Sequence, residues 1–343
     1  MNGALMAQEI GDQPQVFARI LDEGRPHIEQ VCRDIAQRCL RFALFAARGT
    51  SDHAALYGKY LVETQLGMPA GLVSPSTMTI YDTHPSLHGV LFIAISQSGM
   101  SPDLVEPLKR ARAGGAITLA ITNAPDSPVA AAAEYHLDIL AGDERAVAAT
   151  KTYTAELLVV LLLIQRLRGH AFVDLDTLPD RAQEALGRGE EVARLAVRYR
   201  FAEQIVVTAR GYNYATARET ALKLMETCYL VAHAISAADL LHGPVAMIDR
   251  GFPVIAIVPE GAGGRALSPL LDQLQHVGAD TMIVGDPTAC RRGTVRLALE
   301  AGPEILSPLL LILPMQQFAW YLAQARGNDP DKPLGINQIP ETW

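Results

Sequence analysis

Residues 96–101 read Ser-Gln-Ser-Gly-Met-Ser, three hydroxyls in six positions, directly after the apolar run Gly89–Ile95. Hydroxyls and main-chain amides are neutral hydrogen-bond donors, the kind that hold a phosphate where a strand gives way to a helix. The continuation SPDLVEPLKRA carries helix-start signals: Ser101 as capping residue, Pro102 in the first position and Asp103 in the first turn. Gly99 permits the tight turn between the two elements. No Lys or Arg stands between Lys59 and Lys109, so an anion held here is expected to rely on neutral donors among Ser96, Gln97, Ser98 and Ser101. The alternative at this point is that Ser101 only caps its helix and the other serines decorate a turn. A second hydroxyl loop, Gly49-Thr50-Ser51, follows the apolar run RFALFAA, and two strand ends supplying small hydroxyl residues predict one polar pocket. His53 beside it reads as a packed or solvated side chain.

Acid–base groups lie further along. In ETALKLMET, Glu219, Lys223 and Glu226 stand at i, i+4 and i+7, along one face of a helix. Such a face is either a solvated row of salt bridges or a place where a carboxylate does work. In ADLLHGPVAMID, His242 precedes Gly243 and Pro244, which predicts a turn. A carboxylate and an imidazole near an anion pocket can move protons at neutral pH.

These residues need elements to position them. Apolar runs suited to strands alternate with helix-like stretches: RFALFAA, GVLFIAI and AITLAIT, then QIVVTA, FPVIAIV and DTMIVG. That alternation predicts an α/β fold with parallel sheets covered by helices. The two halves also resemble each other. ARGTSDHAALYGKYLVET from Ala47 and ARGYNYATARETALKLMET from Ala209 stand at an offset of 162, as do FIAISQSG from Phe92 and VIAIVPEG from Val254. Thr118 and Thr281 continue the series at 163, so the chain is expected to be a tandem repeat. The expected parts are N-terminal helices over 1–40 packing on the first domain, a phosphate-binding domain over 41–171, a connecting helix over 172–198, a catalytic domain over 199–329 and an irregular tail over 330–343. In the second copy Val258, Pro259 and Glu260 replace the hydroxyl loop, so only the first copy is expected to hold an anion.

Composition narrows the partners. With 343 residues, 49% hydrophobic and 19% charged, the chain has the make-up of a globular protein of about two domains. A net charge of −8 opposes a nucleic-acid surface. The runs AELLVVLLLI and LLLILP are short or interrupted by proline and read as core helices, so no membrane partner is expected, and the N-terminus lacks a signal-peptide pattern. Cys32, Cys39, Cys228 and Cys290 show no CxxC spacing, which predicts reduced, buried thiols in a cytoplasmic protein without a metal site.

EIGDQP, RGTSDHAA, SQSGMSPD, AATKTYTAEL, ALKLMET and LLHGP, in this order over essentially the whole chain, resemble the sugar isomerase (SIS) family. The resemblance is strongest to the isomerase half of glutamine-fructose-6-phosphate amidotransferase and its stand-alone relatives. It implies two tandem SIS domains, each a flavodoxin-like three-layer sandwich, acting on a sugar phosphate without a cofactor. Ser51, Ser96, Gln97, Ser98 and Ser101 match positions that hold the phosphate and nearby hydroxyls, with Gly49 and Thr50 in the same loop. Val147 matches a residue whose backbone contacts the sugar. Glu226 matches the carboxylate that moves a proton between C1 and C2, and Lys223 a lysine of the same motif. His242 matches a histidine of ring opening that relatives supply from a neighbouring subunit, so a homodimer is expected.

Two departures from the amidotransferase bear on the reaction. No glutaminase domain with its N-terminal cysteine precedes the repeat, so nitrogen is expected to enter or leave as ammonia. Gln338 stands where the synthase has a Schiff-base lysine, and an amide cannot form an imine; Ala149 likewise replaces a serine. These changes resemble the stand-alone deaminases and point to conversion of glucosamine-6-phosphate into fructose-6-phosphate and ammonia. A fructosamine-type deglycase, an ammonia-dependent synthase and a non-catalytic phosphosugar sensor are the other readings.

Overall fold

The computed structural model of the chain describes residues 2–169 and 173–335. Its strands form two separate five-stranded sheets in which every pairing is parallel. The first contains β1 (Phe42–Ala46), β2 (Ala70–Leu72), β3 (Val90–Ser96), β4 (Ile117–Thr122) and β5 (Tyr135–Asp138), in the order β2-β1-β3-β4-β5. The second contains β6 (Gln204–Ala209), β7 (Val231–Ser236), β8 (Pro253–Val258), β9 (Asp280–Gly285) and β10 (Val295–Ala298), in the order β10-β9-β8-β6-β7. Read from the other edge, the second order is the first again. The expected internal repeat is therefore a repeat of topology, and the order is that of flavodoxin-like sheets.

Parallel strands covered on both faces must be apolar throughout. β4 is buried at all six positions and β3 at all but its first. The six strands read from apolar runs in the sequence are the six inner ones. The four it did not reveal, β2, β5, β7 and β10, are the sheet edges, where short or mixed segments such as YHLD and VRLA pair on one side only.

Each half carries one helix buried almost all round, as the runs AELLVVLLLI and LLLILP predict. In the helix Lys151–Leu167 every residue through Gln165 is buried. The segment Glu304–Ala325 is long and apolar enough to cross a membrane by length and composition, contrary to the expectation of a run too short or too interrupted by proline, since Pro314 lies inside the helix; yet 83% of its apolar window is buried inside the fold. It is a core helix because the strands and helices of its own half cover it.

The chain divides into two compact units that interleave in sequence. One holds residues 12–144, 151–169 and 173–179; the other holds 2–11, 145–150 and 180–335. The helices Gln13–Arg19 and Arg25–Ala36 belong with the first sheet, whereas Ala4–Gly11 belongs with the second. It packs on the helix Ser307–Ala325, and the Asp331 carboxylate accepts from the amides of Leu5 and Met6 at 2.9 Å each, capping the helix from the far end of the chain. The single connecting helix expected over 172–198 is two helices, Leu178–Leu186 and Gly189–Arg198, parted where Gly187 and Gly189 weaken the run.

Cys32, Cys228 and Cys290 are buried as expected, but Cys39 is exposed in the turn before β1. Burial pushes the three enclosed thiols up from 9.0, Cys32 to about 12 and Cys228 and Cys290 to about 11. Between those values the unfolded chain releases protons that the folded chain keeps, so stability falls as pH rises from 9.0 toward 11. Alkylation of the native protein at about pH 8 is expected to modify Cys39 alone, because only an accessible thiolate reacts; peptide mass mapping that finds Cys32, Cys228 or Cys290 modified in folded protein would contradict this packing.

Candidate functional site

In sheets of this order, ligands bind beyond the carboxyl ends of the two strands where the winding direction reverses, here β1 and β3. Both hydroxyl loops lie there. β1 and β3 run in register from Phe42 against Val90 to Ala46 against Ala94, so Gly49-Thr50-Ser51 and Ser96–Ser101 leave the sheet side by side.

The loop after β3 is organised by its own serines. Ser96 Oγ accepts from the Gly99 amide at 3.1 Å and Ser98 Oγ from the Met100 amide at 3.3 Å. Two loop amides are thereby turned inward, while the serine hydroxyl hydrogens, unused in those bonds, stay available to an anion. Gly99 has φ +63°, and a Cβ there would collide with Ser127, so only glycine fits this turn. Ser101 holds the N-cap backbone position before the helix Pro102–Ala113, but its side chain makes no capping bond. The amides of Leu104 and Val105 bond its carbonyl instead, at 3.1 and 3.2 Å, which leaves the hydroxyl uncommitted. The alternative in which Ser101 serves only as a cap therefore loses its basis. Gln97 is half-buried, its carbonyl accepting from Asn123 at 3.1 Å.

The loop after β1 differs more from expectation. Gly49 adopts φ +57° before the helix Thr50–Leu61. Ser51 is buried and donates to Glu156 Oε1 at 2.7 Å, within the core formed with the helix Lys151–Leu167. In that state its hydroxyl can only accept, so its donation toward an anion falls to the main chain. His53 is buried, in line with a packed side chain.

The acid–base residues lie in the other unit. On the helix Tyr214–Cys228, Lys223 is 1% exposed and its Nζ lies 2.6 Å from Glu226 Oε2 and 3.4 Å from Glu219 Oε1. Glu219 is fully buried, whereas Glu226 is partly open, with 23% of its side chain exposed. The solvated row of salt bridges is thus excluded: one buried ammonium ties a core carboxylate to an accessible one. His242 is exposed after the helix Ala237–Leu241, and its Nδ1 meets the Ala238 carbonyl at 2.7 Å. A carbonyl only accepts, so Nδ1 carries the hydrogen and Nε2 points its exchangeable site outward. Among the described residues no hydrogen bond or ion pair joins His242 to Lys223 or Glu226. Val147 is half-buried in a strap tethered at both ends: Glu9, 3% exposed, accepts from the Ala146 amide at 3.2 Å, and Gln316 donates to the Thr150 carbonyl at 3.1 Å. Gln338 lies outside the described residues.

The corresponding crevice of the second sheet, between β6 and β8, is closed by the chain itself. Glu304 Oε1 accepts from the Gly263 amide at 2.9 Å, and its carboxylate occupies the space over Gly211, Gly261 and Gly263. The loss of the hydroxyl loop there coincides with a resident carboxylate.

A SIS domain model matches residues 38–166 and again residues 199–324. The chain belongs to the SIS family. It is 34% identical to a glutamine-fructose-6-phosphate aminotransferase of Thermococcus kodakarensis and 35% identical to one of Gloeobacter violaceus. In both cases 96% of this chain is matched and 57% of the relative, so the chain spans a little over half the length of these curated relatives. Among solved structures it superposes on a protein of Silicibacter pomeroyi, provisionally assigned as a phosphosugar isomerase, with TM-score 0.88 and 32% identity over 96% of this chain and all of that one. The C-terminal domain of the Francisella tularensis glucosamine-fructose-6-phosphate aminotransferase gives TM-score 0.81 and 26% identity, covering 96% and 98%.

Within this SIS chain, several residues at the two groups have roles that their sequence context does not show. Glu156, which takes the Ser51 hydroxyl, and Glu9, which holds the Val147 strap, lie in the stretches AATKTYTAEL and EIGDQP, but each acts across more than a hundred positions, so no local spacing shows what it does. Arg48 does have a local signal, standing directly before Gly49 in RGTSDHAA. Replacing Lys223 with Met removes the ammonium that Glu219 and Glu226 share, an expected loss of about 3–5 kcal/mol. Urea unfolding should show this loss, and K223M/E219Q should recover part of it; an unchanged midpoint for K223M would mean the buried charges are balanced elsewhere.

Proposed function

We propose that the chain interconverts amino-sugar and keto-sugar 6-phosphates, acting as a SIS-type glucosamine-6-phosphate deaminase. The observation that carries the reading is the Lys223–Glu226 pair: a buried ammonium fixing one oxygen of an accessible carboxylate, in the ALKLMET stretch where the family resemblance places its enolisation base. A binding-only sensor has no need of such a pair.

In the proposed reaction the phosphate rests on the hydroxyls of Ser96, Ser98 and Ser101 and the main chain of Gly49, Thr50 and Ser51, with Gln97 and the Val147 backbone toward the sugar. His242, through Nε2, exchanges the ring-opening proton between the ring oxygen and the C1 hydroxyl. Glu226 takes the proton from C2 of the open aldehyde while O1 picks up a proton from solvent, leaving an enolaminol, and returns its proton to C1 as the nitrogen gives one up to solvent. The product is a C2 ketimine, to which water adds before ammonia leaves, giving fructose-6-phosphate. Lys223 holds Glu226 between C1 and C2. If His242 serves the site of a neighbouring subunit, as the resemblance implies, the active form is a homodimer, and the reaction belongs to amino-sugar metabolism in the cytoplasm.

The curated relatives matched at 34–35% identity are named aminotransferases, which favours a second reading: the same steps run toward glucosamine-6-phosphate with free ammonia. Both directions are open to one assay. Purified chain given glucosamine-6-phosphate should release ammonia and fructose-6-phosphate in equal amounts; given fructose-6-phosphate and ammonium it should form the amino sugar if amination is its direction. Glu226→Gln should lower turnover by about a thousandfold or more, the scale of losing a general base, while leaving sugar-phosphate binding in place. Binding without turnover in either direction would move the assignment to a sensor.

A further inference from the structure

β1 runs out, through Ala47, into a cation beside a loop otherwise built of neutral donors. Arg48 meets one oxygen of Asp103 twice, from Nη2 at 2.5 Å and from Nε at 3.1 Å. Asp103 is 3% exposed in the first turn of the helix Pro102–Ala113, two positions past Ser101, and Thr79 Oγ1 approaches its other oxygen at 3.5 Å. Arg48 itself is 49% exposed, and its Nη1 takes no part in the pair. A guanidinium gripped along one edge keeps its plane fixed and offers its remaining donors to a second anion.

The electrostatics call for such a group. A buried carboxylate next to an anion loop repels a phosphate unless a cation offsets it, and Arg48 offsets Asp103 while remaining open to solvent. The repeat provides a comparison within the same chain. Arg210 stands 162 positions after Arg48, but the position equally far from Asp103 is Arg265, with no carboxylate to grip. The clamp and the hydroxyl loop therefore occur in the same copy, and the copy without the clamp has its crevice filled by Glu304.

We propose that Arg48, oriented by Asp103, is a specificity-determining residue that binds the phosphate oxygens of the ligand at the mouth of the serine cradle and selects phosphorylated sugars over neutral ones. The inference rests on the reading of that cradle as a phosphate site. Calorimetric titration of the full chain with glucosamine-6-phosphate and with glucosamine separates the two. The wild-type chain should bind the phosphate ester and not the neutral sugar, and R48A should weaken binding of the ester by about tenfold or more, the worth of one hydrogen bond to a charged group. R48A/D103N removes the buried carboxylate as well, so it folds without an unpaired charge; it should stay as weak as R48A, because the contact to phosphate is still missing. No binding of the ester by the wild-type chain overturns the cradle reading and this inference with it. Wild-type binding with R48A unchanged, or with affinity restored in R48A/D103N, overturns the inference alone, the latter by reducing Arg48 to a counter-charge for Asp103.

Discussion

A parallel sheet wound in the order 2-1-3-4-5 has to leave a gap where its crossovers part to opposite faces, and the walls of that gap are loop amides with no strand to bond. Unpaired amides cannot stay buried without partners, so each gap must be filled by something that accepts hydrogen bonds. In the second sheet the Glu304 carboxylate, brought there by the segment just before the helix Ser307–Ala325, is such a filler. In the first sheet Ser96 and Ser98 satisfy two amides and present their own hydrogens in turn. One fold applied twice thus yields one crevice occupied by a carboxylate and one lined by hydroxyls.

The two halves share one electrical device: in each, a buried charge is placed against an opposite one that reaches toward solvent. Asp103 at 3% exposure is met by Arg48 at 49%, and Lys223 at 1% is met by Glu226 at 23%. Burial of one member fixes the geometry of the other, since a charge in the interior tolerates little displacement of its partner. The accessible member keeps capacity for a ligand. Had both members been exposed, side-chain entropy would have left neither in a defined place.

Legibility in the sequence tracked the range of the interaction that determines each feature. The six inner strands were visible because burial on both faces imposes continuous apolar runs, and the repeat because it preserves both residues and spacing. The four edge strands were not, since an edge requires only one bonded neighbour and accepts segments as mixed as YHLD. At the site, the residue types of the hydroxyl loop and the spacing of Glu219, Lys223 and Glu226 were readable, but not which partners they take. Ser101 looked like a cap and proved free of that duty, because its carbonyl rather than its hydroxyl receives the helix amides. Ser51 looked like an anion donor and gives its hydrogen to Glu156, 105 positions away. The half that takes Ala4–Gly11 was not readable, because its cap, Asp331, comes from the opposite end of the chain.

The mixture of donors in the open crevice bears on turnover as well as on binding. A pocket built from several lysines would hold a phosphate ester tightly in every state, substrate and product alike, and such uniform binding adds nothing to the chemical step once the site is filled. Hydroxyls pay less desolvation than ammonium groups and release an anion more readily, while one arginine with an edge already committed to Asp103 contributes a single directed contact. Since the reaction proposed here leaves the phosphate chemically unchanged from substrate to product, the cradle has only to position it. In that proposed reaction, discrimination between the states falls to Glu226 and His242, the groups assigned to move protons on the sugar.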